Sequence, residues 1–415
     1  MMERKFLPEV STFKCITCKK TYSIASGSIR CSCGGLLEIK HDWTLLSPKK
    51  ELEYYEHHLS GVWRFKPIIH PSIPDKDIVM RGEGNTGLYN ASQRILDYAG
   101  CTNLLFKHEG ENPTGSFKDR GMTVGISEAK RLGMHTVVCA STGNTSASLA
   151  AYASYAGMKA TVILPKGKVA FGKLAQALAY GAKVYTVEGT FDLALQQVID
   201  QASKDGRYLL NSINPWRIEG QKTIIFELLE NLKWETPDWI VAPAGNLGNT
   251  SAFGKALKEA QELELITEIP HLVAVQAKGS EPFVKYWESG KYNPEPNPRT
   301  IATAINIGNP VSHSKAFEAL KFTNGVATSV SDQSILDAKA LIDGAGIGCE
   351  PASASTLAGI KKLVDEGTIL ASEKIVAILT GHLLKDPQII IDYHQHQLEN
   401  IQSIYANKIN IYDHK

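Results

Sequence analysis

The chain is short of net charge, of long apolar runs and of any leader-like start, and each shortage excludes a class of protein. Lys and Arg number 44 against 43 Asp and Glu. A balance that close leaves no electrostatic footprint for nucleic acid or an anionic membrane. No uninterrupted apolar stretch approaches the roughly 20 residues that a bilayer requires. The opening Met1-Met2-Glu3-Arg4-Lys5-Phe6-Leu7-Pro8 lacks the apolar core of a signal peptide, so a cytoplasmic protein with neither membrane nor nucleic-acid partner is expected. There is no internal repeat and no low-complexity tract. What remains is a 415-residue chain, 43% hydrophobic and 21% charged, long enough for two or three domains with a sizeable core.

Cysteine is sparse but unevenly placed. Four of seven fall in the first 33 residues, as Cys15-x2-Cys18 and Cys31-x-Cys33, while Cys101, Cys139 and Cys349 are scattered. A disulfide framework does not suit a long chain without an export signal. Two close thiol pairs suit a tetrahedral zinc site, which four cysteines would fill completely, making any metal structural. A reduced, metal-free mini-domain is the alternative. Lys14, Lys19, Lys20 and Arg30 lie nearby, but no basic-aromatic stripe extends beyond them, which leaves a ribbon that binds nucleic acid as a distant reading.

From Arg81 to Asp386 short apolar runs alternate with Ala/Leu-rich helical stretches. Strands are expected at Leu36–Ile39, Thr136–Ala140, Thr161–Leu164, Lys183–Val187, Tyr208–Leu210, Trp239–Ala242, His271–Val275 and Lys374–Leu379. Helices are expected at Ala147–Ala156, Lys173–Tyr180 and Asp192–Ala202. Continuous apolar strands between helices predict α/β architecture with mostly parallel sheets. The last 25 or so residues read as a polar, partly helical tail.

In such sheets ligands gather at the carboxyl ends of strands, and several of those ends are unusually polar. Glu111–Gly121 carries a Pro/Gly turn, with Ser116 placed to cap a helix starting near Phe117. Lys118 then falls in a first helical turn, where the dipole disfavours its charged form and frees an amine suited to a Schiff base. A surface lysine paired with Asp119 is the plain alternative. Ala140–Ser146 supplies more hydroxyl and amide groups than one N-cap needs, as a carboxylate or anion site would. Ala244-Gly245-Asn246-Leu247-Gly248-Asn249-Thr250 matches neither the dinucleotide fingerprint nor a P-loop, and reads as a short phosphate cup. Asn211–Arg217 offers Ser212 and the bidentate guanidinium of Arg217 for a second anion, unless Arg217 is solvated beside Glu219. Thr380, in Leu379-Thr380-Gly381-His382, could aim its hydroxyl at a ring nitrogen, or be a polar strand end. An imine-forming lysine, a phosphate cup and these polar ends converge on pyridoxal phosphate.

These segments, with Gly82-Glu83-Gly84-Asn85-Thr86 and Leu379–Pro387, resemble the fold-type II (tryptophan-synthase β-like) family of pyridoxal-phosphate enzymes over residues ~80–390. The resemblance implies two three-layer α/β domains with an N-terminal Cys-rich ribbon: a ribbon at 1–45, a large domain at 46–122 and 213–415, and a small mobile domain at 123–212. It implies that Lys118 joins the cofactor covalently. Asn144 would meet the cofactor 3-hydroxyl, Gly245, Asn246, Leu247, Gly248 and Asn249 its phosphate, and Thr380 its ring nitrogen. Ser141 and Thr142 would hold a substrate carboxylate. Thr145, Asn211, Ser212, Arg217 and Asn246 would hold a substrate phosphate. Cys15, Cys18, Cys31 and Cys33 match a ribbon that some members carry. The implied activity is γ-elimination and β-replacement on O-phosphohomoserine, giving threonine and phosphate, in a homodimer. Synthesis of cysteate from O-phosphoserine and sulfite, and dehydration of threonine or serine, stay open. Leu247, Gly87, Trp216 and Leu383 depart from the family pattern, close to where substrate would lie.

Overall fold

The computed structural model describes residues 10–46, 59–141, 143–165, 171–187 and 206–404. The expected helix Asp192–Ala202 and Thr142 lie outside the described residues. The chain divides into two compact units, one formed by residues up to Asn85 together with Lys118–Thr223, the other by Thr86–Phe117 with Ile224 onward.

The first unit begins with an antiparallel ribbon ordered β2-β1-β3, with β1 at Ser11–Cys15, β2 at Thr21–Ser23 and β3 at Leu37–His41. Along β1, Ser11, Phe13 and Cys15 are buried while Thr12 and Lys14 are half-buried, the period-2 alternation of a strand with one packed face. Four parallel strands follow, ordered β8-β7-β6-β9: β6 Thr136–Ala140, β7 Lys159–Pro165, β8 Lys183–Val187 and β9 Tyr208–Leu209. The helices, counted from the short α1 (Lys66–Ile69) and α2 (Gln93–Ala99), continue with α3 Lys118–Arg131, α4 Asn144–Tyr155, α5 Phe171–Ala179 and α6 Pro215–Asn231. α5 ends as expected at Gly181, φ 77°, a left-handed stop. α4 starts three residues before the expected Ala147, because Asn144, Thr145 and Ser146 form its first turn. Helices α3 and α6 meet backbone to backbone, so that a Cβ on Gly220 would lie 1.9 Å from the Arg120 carbonyl oxygen.

The second unit carries a six-stranded sheet ordered β12-β11-β10-β13-β5-β4. Its members are β4 Leu88–Asn90, β5 Asn103–His108, β10 Trp239–Pro243, β11 His271–Ala277, β12 Val326–Val330 and β13 Lys374–Leu379, and only β4 pairs antiparallel. Every residue of β10 is buried, as in a parallel sheet packed on both faces. Helices α7 (Gly248–Glu262), α8 (Pro282–Ser289), α9 (His313–Phe322), α10 (Asp332–Gly344), α11 (Pro351–Asp365) and α12 (Pro387–His394) accompany it. α11 is small-residue rich and almost wholly buried, and a Cβ on its Gly359 would come 2.7 Å from Val275. Strands β5 and β12 escape a reading by apolar runs. Lys107 interrupts the first and is buried against Glu227 at 2.7 Å, while Thr328 and Ser329 interrupt the second, an edge strand.

Candidate active site

In the first unit, Lys118 is the first residue of a fourteen-residue helix and is half-buried. Asp119 does not pair with it at the surface: it is fully buried and accepts a hydrogen bond from Ser148 Oγ at 2.5 Å. Nor does Ser116 cap the helix. Its hydroxyl has no hydrogen-bond partner among the described residues, and its backbone forms a bridge with Gly381. Flanking bonds run from Phe117 N–H to the Thr380 carbonyl (3.0 Å) and from His382 N–H to the Gly115 carbonyl (2.9 Å). The residue before Lys118 is thereby tied to the end of β13.

The β6–α4 loop spends one hydroxyl on itself, with Ser141 Oγ accepting from Gly143 N–H at 3.2 Å. The N-cap Gly143 provides no side-chain cap, and its carbonyl accepts from the Ser146 and Ala147 N–H groups at 3.1 and 3.3 Å. Asn211, expected at a substrate phosphate, braces the loop: its Nδ2 donates to the Ala140 carbonyl and its Oδ1 accepts from the Ala140 N–H, both at 2.9 Å. A short polar side chain beside a strand end mimics a ladder bond there. Asn214, which sequence reasoning passed over, caps α6 through Oδ1 to Trp216 N–H at 3.0 Å, with Pro215 at the first helical position. An Asn-Pro pair at a helix start was the available signal.

Arg217 is not solvated beside Glu219. It is 2% exposed, and Glu219 is engaged by His41 and Lys222. Among the described residues its guanidinium makes one hydrogen bond, from Nη1 to the Leu210 carbonyl at 3.3 Å, and its Nε has no partner. Desolvation pushes it down to about 10. Burying a cation without a counter-charge costs several kcal/mol, on the order of a lost ion-pair partner, so the site is built for an anion. Its backbone abuts α3 at Gly121, three residues beyond Lys118: a Cβ there would stand 2.8 Å from the Arg217 carbonyl oxygen.

In the second unit, the β10–α7 turn forms the cup. Leu247 takes a left-handed φ of 63° and gives no side-chain cap, leaving the N–H groups of Gly248, Asn249 and Thr250 at an open helix start. A Cβ on Gly245 would sit 3.0 Å from the Ala304 carbonyl oxygen. Asn249 Oδ1 and Thr250 Oγ1 are buried without partners among the described residues. Asn246 Oδ1 accepts from Val311 N–H at 2.8 Å. Thr380, 4% exposed, donates to Glu350 Oε1 at 3.2 Å and lies 3.0 Å from Ser353 Oγ. Glu350 and Ser353 were not found by sequence reasoning, because they come from the start of α11, about 30 residues away. Below the turn before Lys118, Glu109 accepts from Thr86 Oγ1 and Asn112 Nδ2, both at 2.8 Å, and fixes that turn on a buried network.

The four ribbon cysteines bring their sulfurs within 4.8 Å of one another. The two closest pairs, Cys15–Cys33 at 3.6 Å and Cys18–Cys31 at 3.5 Å, are too far apart for disulfides. The Tyr22 hydroxyl, 3.0 Å from Cys31 Sγ, and then the Cys33 backbone hold that thiol down to about 6. Against a lowering backbone bond from Lys20, Cys33 and Cys31 push Cys18 up to about 12. Thiols in such mutual conflict suit a shared cation.

Residues 79–381 match the family described as pyridoxal-phosphate dependent enzymes, and the chain belongs to that family. Within it, the chain is 49% identical to the threonine synthase of Methanocaldococcus jannaschii, over 91% of this chain and 94% of that one. It is 49% identical to the threonine synthase of Methanosarcina acetivorans, over 91% and 93%. Among solved structures, an L-serine ammonia-lyase from Rhizomucor miehei superposes with a TM-score of 0.66 at 21% identity, over 76% of this chain and 99% of that one. Maize serine racemase gives 0.64 at 21%, over 81% and 98%. These two share the fold. The residues present fit the family's cofactor: an open helix start with two unpartnered buried oxygens beside it, and a lysine opening a helix. No helix among the described residues is long and apolar enough to cross a membrane.

Proposed function

We propose that this chain is a threonine synthase, converting O-phospho-L-homoserine and water to L-threonine and phosphate. The observation that carries the reading is Arg217, a buried guanidinium without a carboxylate partner among the described residues. Unphosphorylated threonine or serine carries only its α-carboxylate, which Ser141 and Thr142 take in this reading, and has no second anion to offer it. The curated relatives favour the same activity.

Pyridoxal phosphate, when bound, supplies the electron sink that lets a proton leave Cα. In this reading Lys118 is its covalent anchor, and Lys118 Nζ takes that proton and returns one. Gly245, Asn246, Leu247, Gly248 and Asn249 hold the cofactor phosphate, Asn144 its 3-hydroxyl, and Thr380 its ring nitrogen. The Thr380 hydroxyl donates to Glu350, so it meets the ring as an acceptor or a neutral dipole, not as a counter-charge. Ser141 and Thr142 orient the substrate carboxylate. Arg217, with Thr145, Ser212 and Asn246, grips the substrate phosphate and stabilises it as the Cγ–O bond breaks. A Cβ proton leaves before the Cγ–O bond breaks; water then supplies the Cβ hydroxyl, and protons return to Cα and Cγ. Residues 123–212 act as the small mobile domain that keeps stray water out, against a large domain of 46–122 and 213–415. Residues 1–45 fold as a ribbon in which Cys15, Cys18, Cys31 and Cys33 hold a structural zinc, and the enzyme works in the cytoplasm as a homodimer.

The test gives the purified holoenzyme O-phosphohomoserine, O-phosphoserine with sulfite, or threonine, and follows phosphate, amino-acid product and keto acid. Phosphate and threonine in equal amounts from the first alone is the expected result. Turnover confined to phosphoserine with sulfite, or keto acid from threonine, would replace the reading.

A further inference from the structure

The ribbon is joined to the helix that carries Arg217. Phe13, at the centre of β1 and fully buried, sets its ring edge-on to Trp216, centroids 5.9 Å apart. The face of the Trp216 ring is covered by His70, stacked at 3.9 Å, whose Nε2 lies 3.1 Å from Glu128 Oε2. His41, at the end of β3, pairs through Nε2 with Glu219 Oε2 at 3.1 Å and through Nδ1 with Ser11 Oγ at 2.8 Å. Glu219 also accepts from Lys222 Nζ, which bonds the Ile68 carbonyl at 2.7 Å. Arg217 lies between Trp216 and Glu219, so two ribbon side chains bracket it in sequence. β1 ends in Cys15, one of the four clustered cysteines, and Cys15 is in register with Leu37 at the start of β3.

Among the described residues the Arg217 guanidinium has no carboxylate partner, and none of them holds it in position through an ion pair. Its aim depends on the helix turn beneath it. We propose that the N-terminal ribbon positions Arg217: Phe13 and His41 clamp the first turns of α6 and thereby set the affinity of the site for phosphate, with the four-cysteine cluster holding the clamp in register. The inference rests on Arg217 being the phosphate grip. It makes Phe13 and His41 positioning residues, acting through Trp216 and Glu219. Because coupling between two sites is reciprocal, phosphate must also raise the affinity of the ribbon for zinc.

The test uses the holoenzyme, whose cofactor occupies its own phosphate cup, so that added inorganic phosphate reports the substrate site. Phosphate affinity is measured calorimetrically for wild type, Cys18→Ser/Cys33→Ser, His41→Ala, His41→Gln and Arg217→Ala. The two cysteines chosen are exposed, and the visible absorbance of bound cofactor checks that each variant is folded. Weakening by at least about 5-fold in the cysteine variant and in His41→Ala is expected, within the usual range of site-to-site coupling. His41→Gln, which keeps an N–H for Glu219, should recover most of the affinity. KM for O-phosphohomoserine should rise in parallel while kcat changes little, and saturating phosphate should raise the concentration of a colorimetric chelator needed to strip half of the zinc at equilibrium. If the cysteine variant fails to fold, the two His41 variants decide. Unchanged phosphate affinity in the ribbon variants, with binding lost in Arg217→Ala, would overturn the proposal and leave the phosphate site standing. Wild-type affinity in Arg217→Ala would remove the phosphate site itself, and the coupling with it.

Discussion

Individual side chains show how far identity alone foretells a role. Lys118 stood out because a lysine after a Pro/Gly turn at a helix start is chemically odd. Its role came from the resemblance, and the structure places it first in α3. Lys118→Ala should abolish the visible absorbance of cofactor joined through that amine and lower turnover by about 10²–10⁴-fold or more; absorption spectra and steady-state rates check both. Asn211 was expected at a substrate phosphate only through the resemblance, and its bonds to Ala140 show that it orders the loop. His70 carried no sequence signal. Its burial pushes it below its ordinary 6.5, against the pull of Glu128, so the folded protein keeps it neutral. Below pH 6.5 the unfolded chain takes up a proton that the folded chain refuses, and stability falls until the lowered folded value is passed. Glu128 works in the same direction at lower pH. Despite desolvation that raises it, bonds from Arg131 and His70 hold it below its ordinary 4.5, so its contribution is lost as pH falls through that lowered value. His70→Gln should flatten the stability loss between pH 7 and 5, read as the difference in Tm at the two pH values.

Elements were legible where the period was clean and illegible where a buried charge broke it. β8 and β13 have the expected boundaries, since runs such as Lys-Ile-Val-Ala-Ile-Leu leave little else to form. β5 was hidden by Lys107, whose ammonium is satisfied by Glu227, Asn231 and the Thr86 carbonyl, all at least 21 residues away. Helix crossing is equally non-local. By propensity alone, Gly220→Ala inside α6 would gain about 1 kcal/mol. The new methyl would strike the Arg120 carbonyl, so the expected sign is reversed, with a net loss of about 1–3 kcal/mol or more from forcing α3 and α6 apart. Urea unfolding measures it, and a stabilised Gly220→Ala would show that the two helices have room to spare.

At the scale of the whole molecule, stability and ligand binding are linked. The charge of Arg217, unpaired among the described residues, burdens the folded state, and an anion that relieves it must stabilise the protein. Inorganic phosphate at 100 times its Kd should add about 2.7 kcal/mol to the holoenzyme, seen as a rise in Tm. In Arg217→Ala that rise should vanish, while Tm without phosphate should match or exceed wild type, because a buried cation without a partner has been removed. A phosphate-induced rise that survives in Arg217→Ala would place the anion elsewhere.

The chemistry of the chain was determined by its sequence. A turn, a helix start or a strand end is decided by residues a few positions apart, and a lysine, a glycine cup and polar strand ends announce their purpose locally. The tertiary structure decided which polar groups are already spent and which stay available. Asn211 and Ala140 are 71 residues apart and His41 and Glu219 are 178 apart. Hydrogen bonds and burial at such separations exist only once the chain has closed on itself, and they are what leave Arg217 waiting for an anion.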